Sequence, residues 1–187
     1  MISEPQPISS LQSDSLSNLK KELVTRSQPE LVQICLGLAK LKTENKQMLA
    51  YLLFDADNPM AYAQIVKEKM DALLINCPRN QYGGAKMLRK ALQLVTQYNR
   101  FTKHKPGEVE LLLHFIDCYL EIVSPETRYP PLLGLAFRSL RKCRGLILKL
   151  HEDLQYDYAR EYNGKIQSVE AHFSHWDSYR FPLQPIE

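Results

Sequence analysis

The chain has 187 residues, of which 44% are hydrophobic and 24% charged, with a formal net charge of +3. This is an ordinary balance for a soluble globular domain that builds a core without staples. Four widely spaced cysteines, Cys35, Cys77, Cys118 and Cys143, form no C-x-x-C pair. Their spacing encodes neither a zinc site nor a disulfide framework, and predicts buried thiols in a reducing compartment.

Residues 1–14 are rich in Ser, Pro and Gln and predict a disordered leader. They show neither a basic start nor an apolar run of signal-peptide length, and no stretch reaches the ~18 apolar residues of a membrane span. The expected location is cytoplasmic, with no membrane partner. A single helical domain is expected over 15–168.

Leu16, Leu19 and Leu23 predict a short first helix. Pro29 then opens a second with Leu31, Ile34, Cys35, Leu38 and Leu41 at helical spacing. Thr43 starts a third, carrying Met48, Leu49, Leu52 and Leu53, folded back as a hairpin by the short connection at Lys42. Asn58 and Pro59 cap and open a fourth that ends before Pro78. The fifth begins near Tyr82 and holds Leu88, Ala91, Leu92, Val95 and Tyr98. Pro106 and Gly107 close it and open a sixth, with Val109, Leu112, Leu113, Ile116, Leu120 and Val123 on one face.

The longest signal follows. Leu133, Ala136, Leu140, Cys143, Ile147, Leu150 and Leu154 step by threes and fours from Pro130 and Pro131. Asn163 and Gly164 look like a left-handed stop. One continuous helix over 130–163, bent at Gly145 and ~50 Å long, is therefore expected, with the other helices arranged around it. No period-two strand pattern exists, so the fold class is all-α. Either an antiparallel bundle or a short stack of helical hairpins of the HEAT kind suits it. Residues 169–187 read as an irregular aromatic tail. Phe173, Trp176, Tyr179 and Phe181 are its candidate partner-binding side chains, docked on the chain's own helices or on another protein.

Charge is sorted along the second half. Lys86, Arg89, Lys90 and Arg100 lie in a basic helix over 82–104, and Arg138, Arg141 and Lys142 in another over 130–150. Glu110, Asp117 and Glu121 make the intervening helix acidic. Two basic helices suggest a face for nucleic acid or another polyanion. Opposite charge on neighbouring helices also suggests simple complementarity at solvated edges, which is the favoured reading.

Glu110, His114, Asp117 and Glu121 form one helical stripe, able to bind a metal or supply a general base only if it faces a cleft. A solvated or salt-bridged stripe is the simpler expectation. His151-Glu152 begins like a zinc-protease helix, but Gln155 stands where the second His is required. No phosphate-cradling loop or nucleophile elbow occurs. No metal site, cofactor or catalytic residue is assigned. The sequence favours a non-catalytic scaffold or adaptor that binds another protein. Nucleic-acid binding through the basic helices is the alternative, and an enzyme built on Glu110, His114 and Asp117 is a distant third.

Overall fold

The computed structural model describes residues 15–78, 80–173 and 182–187. Among them are eight helices and no strand, so the protein is all-α. They are α1 (Leu16–Thr25), α2 (Gln28–Leu41), α3 (Thr43–Phe54), α4 (Pro59–Leu74), α5 (Gln81–Thr102), α6 (Lys105–Ile122), α7 (Pro130–Ile147) and α8 (Glu152–His172). The leader expected over residues 1–14 lies outside the described residues. The chain divides into two compact units, Met1–Ala50 and Tyr51–Glu187.

In the first unit, local chemistry sets the helix ends. Ser15 Oγ accepts from the Asn18 amide at α1. At α2, Glu30 Oε2 accepts from both the backbone N (2.8 Å) and Oγ (2.7 Å) of Ser27. These bonds satisfy orphan donors and hold the Glu30 carboxyl below its usual range. Yet no residue from 15 to 50 is buried. Cys35, expected inside, is exposed, because helical spacing shows that residues share a face but not that the face is covered.

The second unit is organised around α6, which packs against α4, α5, α7 and α8. Val109, Leu111, Leu112, Leu113, Phe115, Ile116 and Tyr119 are all buried, so this helix is covered over more of its circumference than the one face that its pattern suggested, and the stripe of Glu110, His114, Asp117 and Glu121 stays partly open. At ~1.5–3 kcal/mol per buried large side chain, that helix alone makes a major contribution to stability. Its start is locked by sequence. The Tyr98 hydroxyl donates to the Pro59 carbonyl at 2.9 Å, and a Cβ on Gly107 would stand 1.9 Å from that hydroxyl oxygen. Only glycine lets α6 approach α5 there.

The single helix expected over 130–163, and its place at the centre, are corrected. The chain ends α7 at Ile147, turns through 148–151, and begins α8 at Glu152. In the turn, the amides of Lys149 and Leu150 donate to the carbonyls of Leu146 and Ile147. Glu152 and Asp153 then place negative charge at the positive start of α8. Both α7 and α8 pack on α6, so both carry an apolar stripe, and the two stripes join across the turn in sequence as if they were one. Gly164 does not stop a helix: it lies inside α8, where a Cβ would meet nothing within 4 Å.

The end of the chain is partly docked. Asn163 clamps Ile186 through both its amide groups, Nδ2 to the Ile186 carbonyl at 2.8 Å and Oδ1 from the Ile186 amide at 2.9 Å. The Tyr162 hydroxyl donates to the Gln184 carbonyl, and Ile186 is buried.

Candidate functional site

Three surfaces carry chemistry. The first is the apolar side of residues 15–50. Leu19 and Leu23 of α1 and Pro29 and Ile34 of α2 line a groove of about 650 Å³. Its rim is charged, because Arg26 pairs with Glu22 at 3.9 Å and with Glu30 at 3.6 Å. Leu16 and Val24 are 84% and 77% exposed, and Val32, Leu36, Leu38 and Leu41 are exposed as well. Helices of 10 and 14 residues are marginal in water on propensity alone. So much uncovered apolar surface on them signals an interaction site. Sequence reasoning found these stripes but did not single them out as a binding surface.

The second is the basic pair, α5 and α7, which pack together. The ring of Tyr82, in the first turn of α5, meets that of Tyr129, just before α7, at 5.4 Å, so the two helices start at the same end. Lys86, Arg89, Lys90, Arg138 and Arg141 are exposed, and none forms an ion pair with a described carboxylate. Arg138 Nη1 folds over Gly134. Lys142 is committed elsewhere: its Nζ lies 2.6 Å from Glu108 Oε1, in an ion pair off hydrogen-bond geometry that covers a carboxylate only 1% exposed. Arg100 is exposed near the far end of α5.

The acidic helix takes its partners mainly from other helices than these two. Glu110 binds Lys67 of α4 at 2.6 Å and accepts from the Tyr158 hydroxyl at 3.1 Å. Asp117 binds Lys165 of α8 at 2.6 Å. Complementarity therefore exists, but α4 and α8 provide most of it.

The third surface is the cleft between α4 and α6, of about 650 Å³, lined by Asp71, Cys77, His114, Asp117, Cys118 and Glu121. The stripe expected from sequence does face a cleft, with Glu110 absent from its lining. Its members divide: Glu110 and Asp117 are salt-bridged, while His114 turns to two residues that the stripe did not include. His114 Nε2 lies 2.6 Å from Asp71 Oδ1, and Cys118 Sγ lies 3.6 Å from each of those two atoms. Burial, reinforced by the Asp71 carboxylate, pushes the Cys118 thiol up to about 12, so it is protonated at neutral pH. A protonated thiol is a poor nucleophile, which weighs against cysteine catalysis here. Asp71 lies on another helix, 43 residues away, and no sequence spacing could have signalled it.

Of the tail's candidate aromatic residues, docked on the chain's own helices or on another protein, Phe173 is buried within the chain's own fold, its ring 6.1 Å from that of Tyr119, and the neighbouring His172 ties the end of α8 to the Val123 carbonyl at 2.7 Å. Trp176, Tyr179 and Phe181 lie outside the described residues. No described helix is long and apolar enough to cross a membrane. No protein-family model matches the chain, and neither does any curated protein or solved structure.

Proposed function

We propose that this protein is a non-catalytic scaffold or adaptor that binds another protein, and that the helices of residues 15–50 are the binding surface. The observation that carries this reading is the absence of any buried residue there, beside an exposed apolar set that includes Leu16, Leu23, Val24 and Leu38. The groove of Leu19, Leu23, Pro29 and Ile34, with its charged rim of Glu22, Arg26 and Glu30, suits an amphipathic helix of the partner. Each large apolar side chain covered on docking would contribute ~1.5–3 kcal/mol before ordering costs.

The test is affinity capture from nuclease-treated lysate by the full chain and by a Leu19→Glu, Leu23→Glu, Ile34→Glu variant. The reading expects a stoichiometric protein partner held by the wild type and lost by the variant. A partner retained equally by both would overturn it.

A second reading, binding of nucleic acid or another polyanion, is favoured by one observation: Lys86, Arg89, Lys90, Arg138 and Arg141 stand exposed without described carboxylate partners on two packed helices. Its signature is affinity that falls steeply with salt, with a slope set by the phosphates neutralised. Fluorescence anisotropy showing no binding of single- or double-stranded nucleic acid at low salt would remove it.

A further inference from the structure

The cleft between α4 and α6 brings together three different ligand types. Asp71 comes from α4; His114 and Cys118 stand four residues apart on α6, and so on one helical face. Their ligand atoms all lie within 4.8 Å of one another. We propose that Asp71 Oδ1, His114 Nε2 and Cys118 Sγ are the protein ligands of a divalent transition-metal ion, zinc(II) by the chemistry of the set.

The triangle has the right size. For metal–sulfur bonds of ~2.3 Å and metal–nitrogen or metal–oxygen bonds of ~2.0 Å at tetrahedral angles, the edges to sulfur are ~3.5 Å and the nitrogen–oxygen edge ~3.3 Å. The two edges to Cys118 Sγ already measure 3.6 Å. Only the Asp71–His114 edge, at 2.6 Å, must open, by ~0.7 Å. Asp71 is exposed, so its side chain has room to rotate.

Charge and access agree. As the metal–sulfur bond forms, the S–H bond breaks and its proton leaves to solvent. Thiolate, carboxylate and neutral imidazole then balance a dication. Sulfur, nitrogen and oxygen together suit borderline zinc better than magnesium or calcium, which take oxygen. Glu121 lines the same cleft and adds negative potential there, while Asp117 beside it is paired with Lys165. Three protein ligands leave a fourth position for water, the pattern of open zinc sites.

The alternative is that the Asp71–His114 contact only ties α4 to α6, and metal binding separates the two. Metal-stripped full chain is titrated with Zn(II) against a chromophoric chelator, and with Co(II) as a spectroscopic substitute. The proposal expects one equivalent per chain, a thiolate-to-cobalt charge-transfer band with tetrahedral d–d bands, and no competition from Mg(II). Cys118→Ser should lose the charge-transfer band, while His114→Gln and Asp71→Asn should weaken Zn(II) binding at least ~10-fold. Cys35→Ser, which removes the exposed thiol, should leave both signals intact. Circular dichroism of each variant shows whether it is folded, and added Zn(II) should raise the melting temperature of the wild type and of Cys35→Ser more than that of the three ligand variants. No stoichiometric binding by the wild type, or a charge-transfer band that survives in folded Cys118→Ser, overturns the proposal.

Discussion

Residues 15–50 and residues 51–187 use similar helical sequence to different ends. In the second unit, stripes such as Leu88, Val95 and Leu140 meet other stripes and vanish from solvent. In the first, Leu16, Leu23 and Leu38 are spaced as regularly and stay exposed. The first unit makes helices by caps and ion pairs, namely Ser15, Ser27 with Glu30, and Arg26 with two glutamates. The second makes them by packing on α6. A helix held by its ends alone is near its stability limit, and a covering surface is what its apolar side lacks.

The sharpest way to break this comparison is to delete the same side chain in both units. Leu140→Ala, at a position 0% exposed, should cost about 2–4 kcal/mol in urea unfolding. Leu38→Ala, at 54% exposure, should stay within ~0.5 kcal/mol in the isolated protein. Equal costs would mean that Leu38 is covered in solution.

A smaller effect concerns the buried carboxylate of α6. Lys142→Ala strips the cation from Glu108 and should destabilise by about 1–3 kcal/mol, less than for a fully buried pair because Lys142 is half exposed. Adding Glu108→Gln should recover much of that loss. If the double variant is no better than the single one, the pair is not what holds that site.

The smallest expected change is a gain. Gly164→Ala fills open space inside α8 and should stabilise by about 0.5–1 kcal/mol, measured by thermal or urea unfolding. A loss would return Gly164 to the helix-stop role that its sequence context suggested.

That same glycine shows where the sequence was legible and where it was not. Caps are local, so Asn58 with Pro59 and the opening near Pro106 were readable directly from neighbouring residues, and α4 and α6 start beside them. The turn at 148–151 was hidden because its only local marks, Glu152 and Asp153 following Lys149, are weaker than an apolar stripe running through both helices. The centrality of α6 depends on which faces are covered, and periodicity is silent on that. At the candidate sites, the basic residues were legible as charge. The Asp71–His114–Cys118 cluster was not, since it forms only when α4 lies against α6.

Amide hydrogen exchange on the full chain, with each helix followed by mass spectrometry, tests most directly whether residues 15–50 lack the packing that holds the rest. The expected result for the isolated protein is rapid exchange throughout α1 and α2, with protection near the global unfolding free energy in α5, α6 and α7. A bound partner should then slow α1 and α2 selectively. Protection of α1 and α2 equal to that of α6 in the isolated monomer would contradict it.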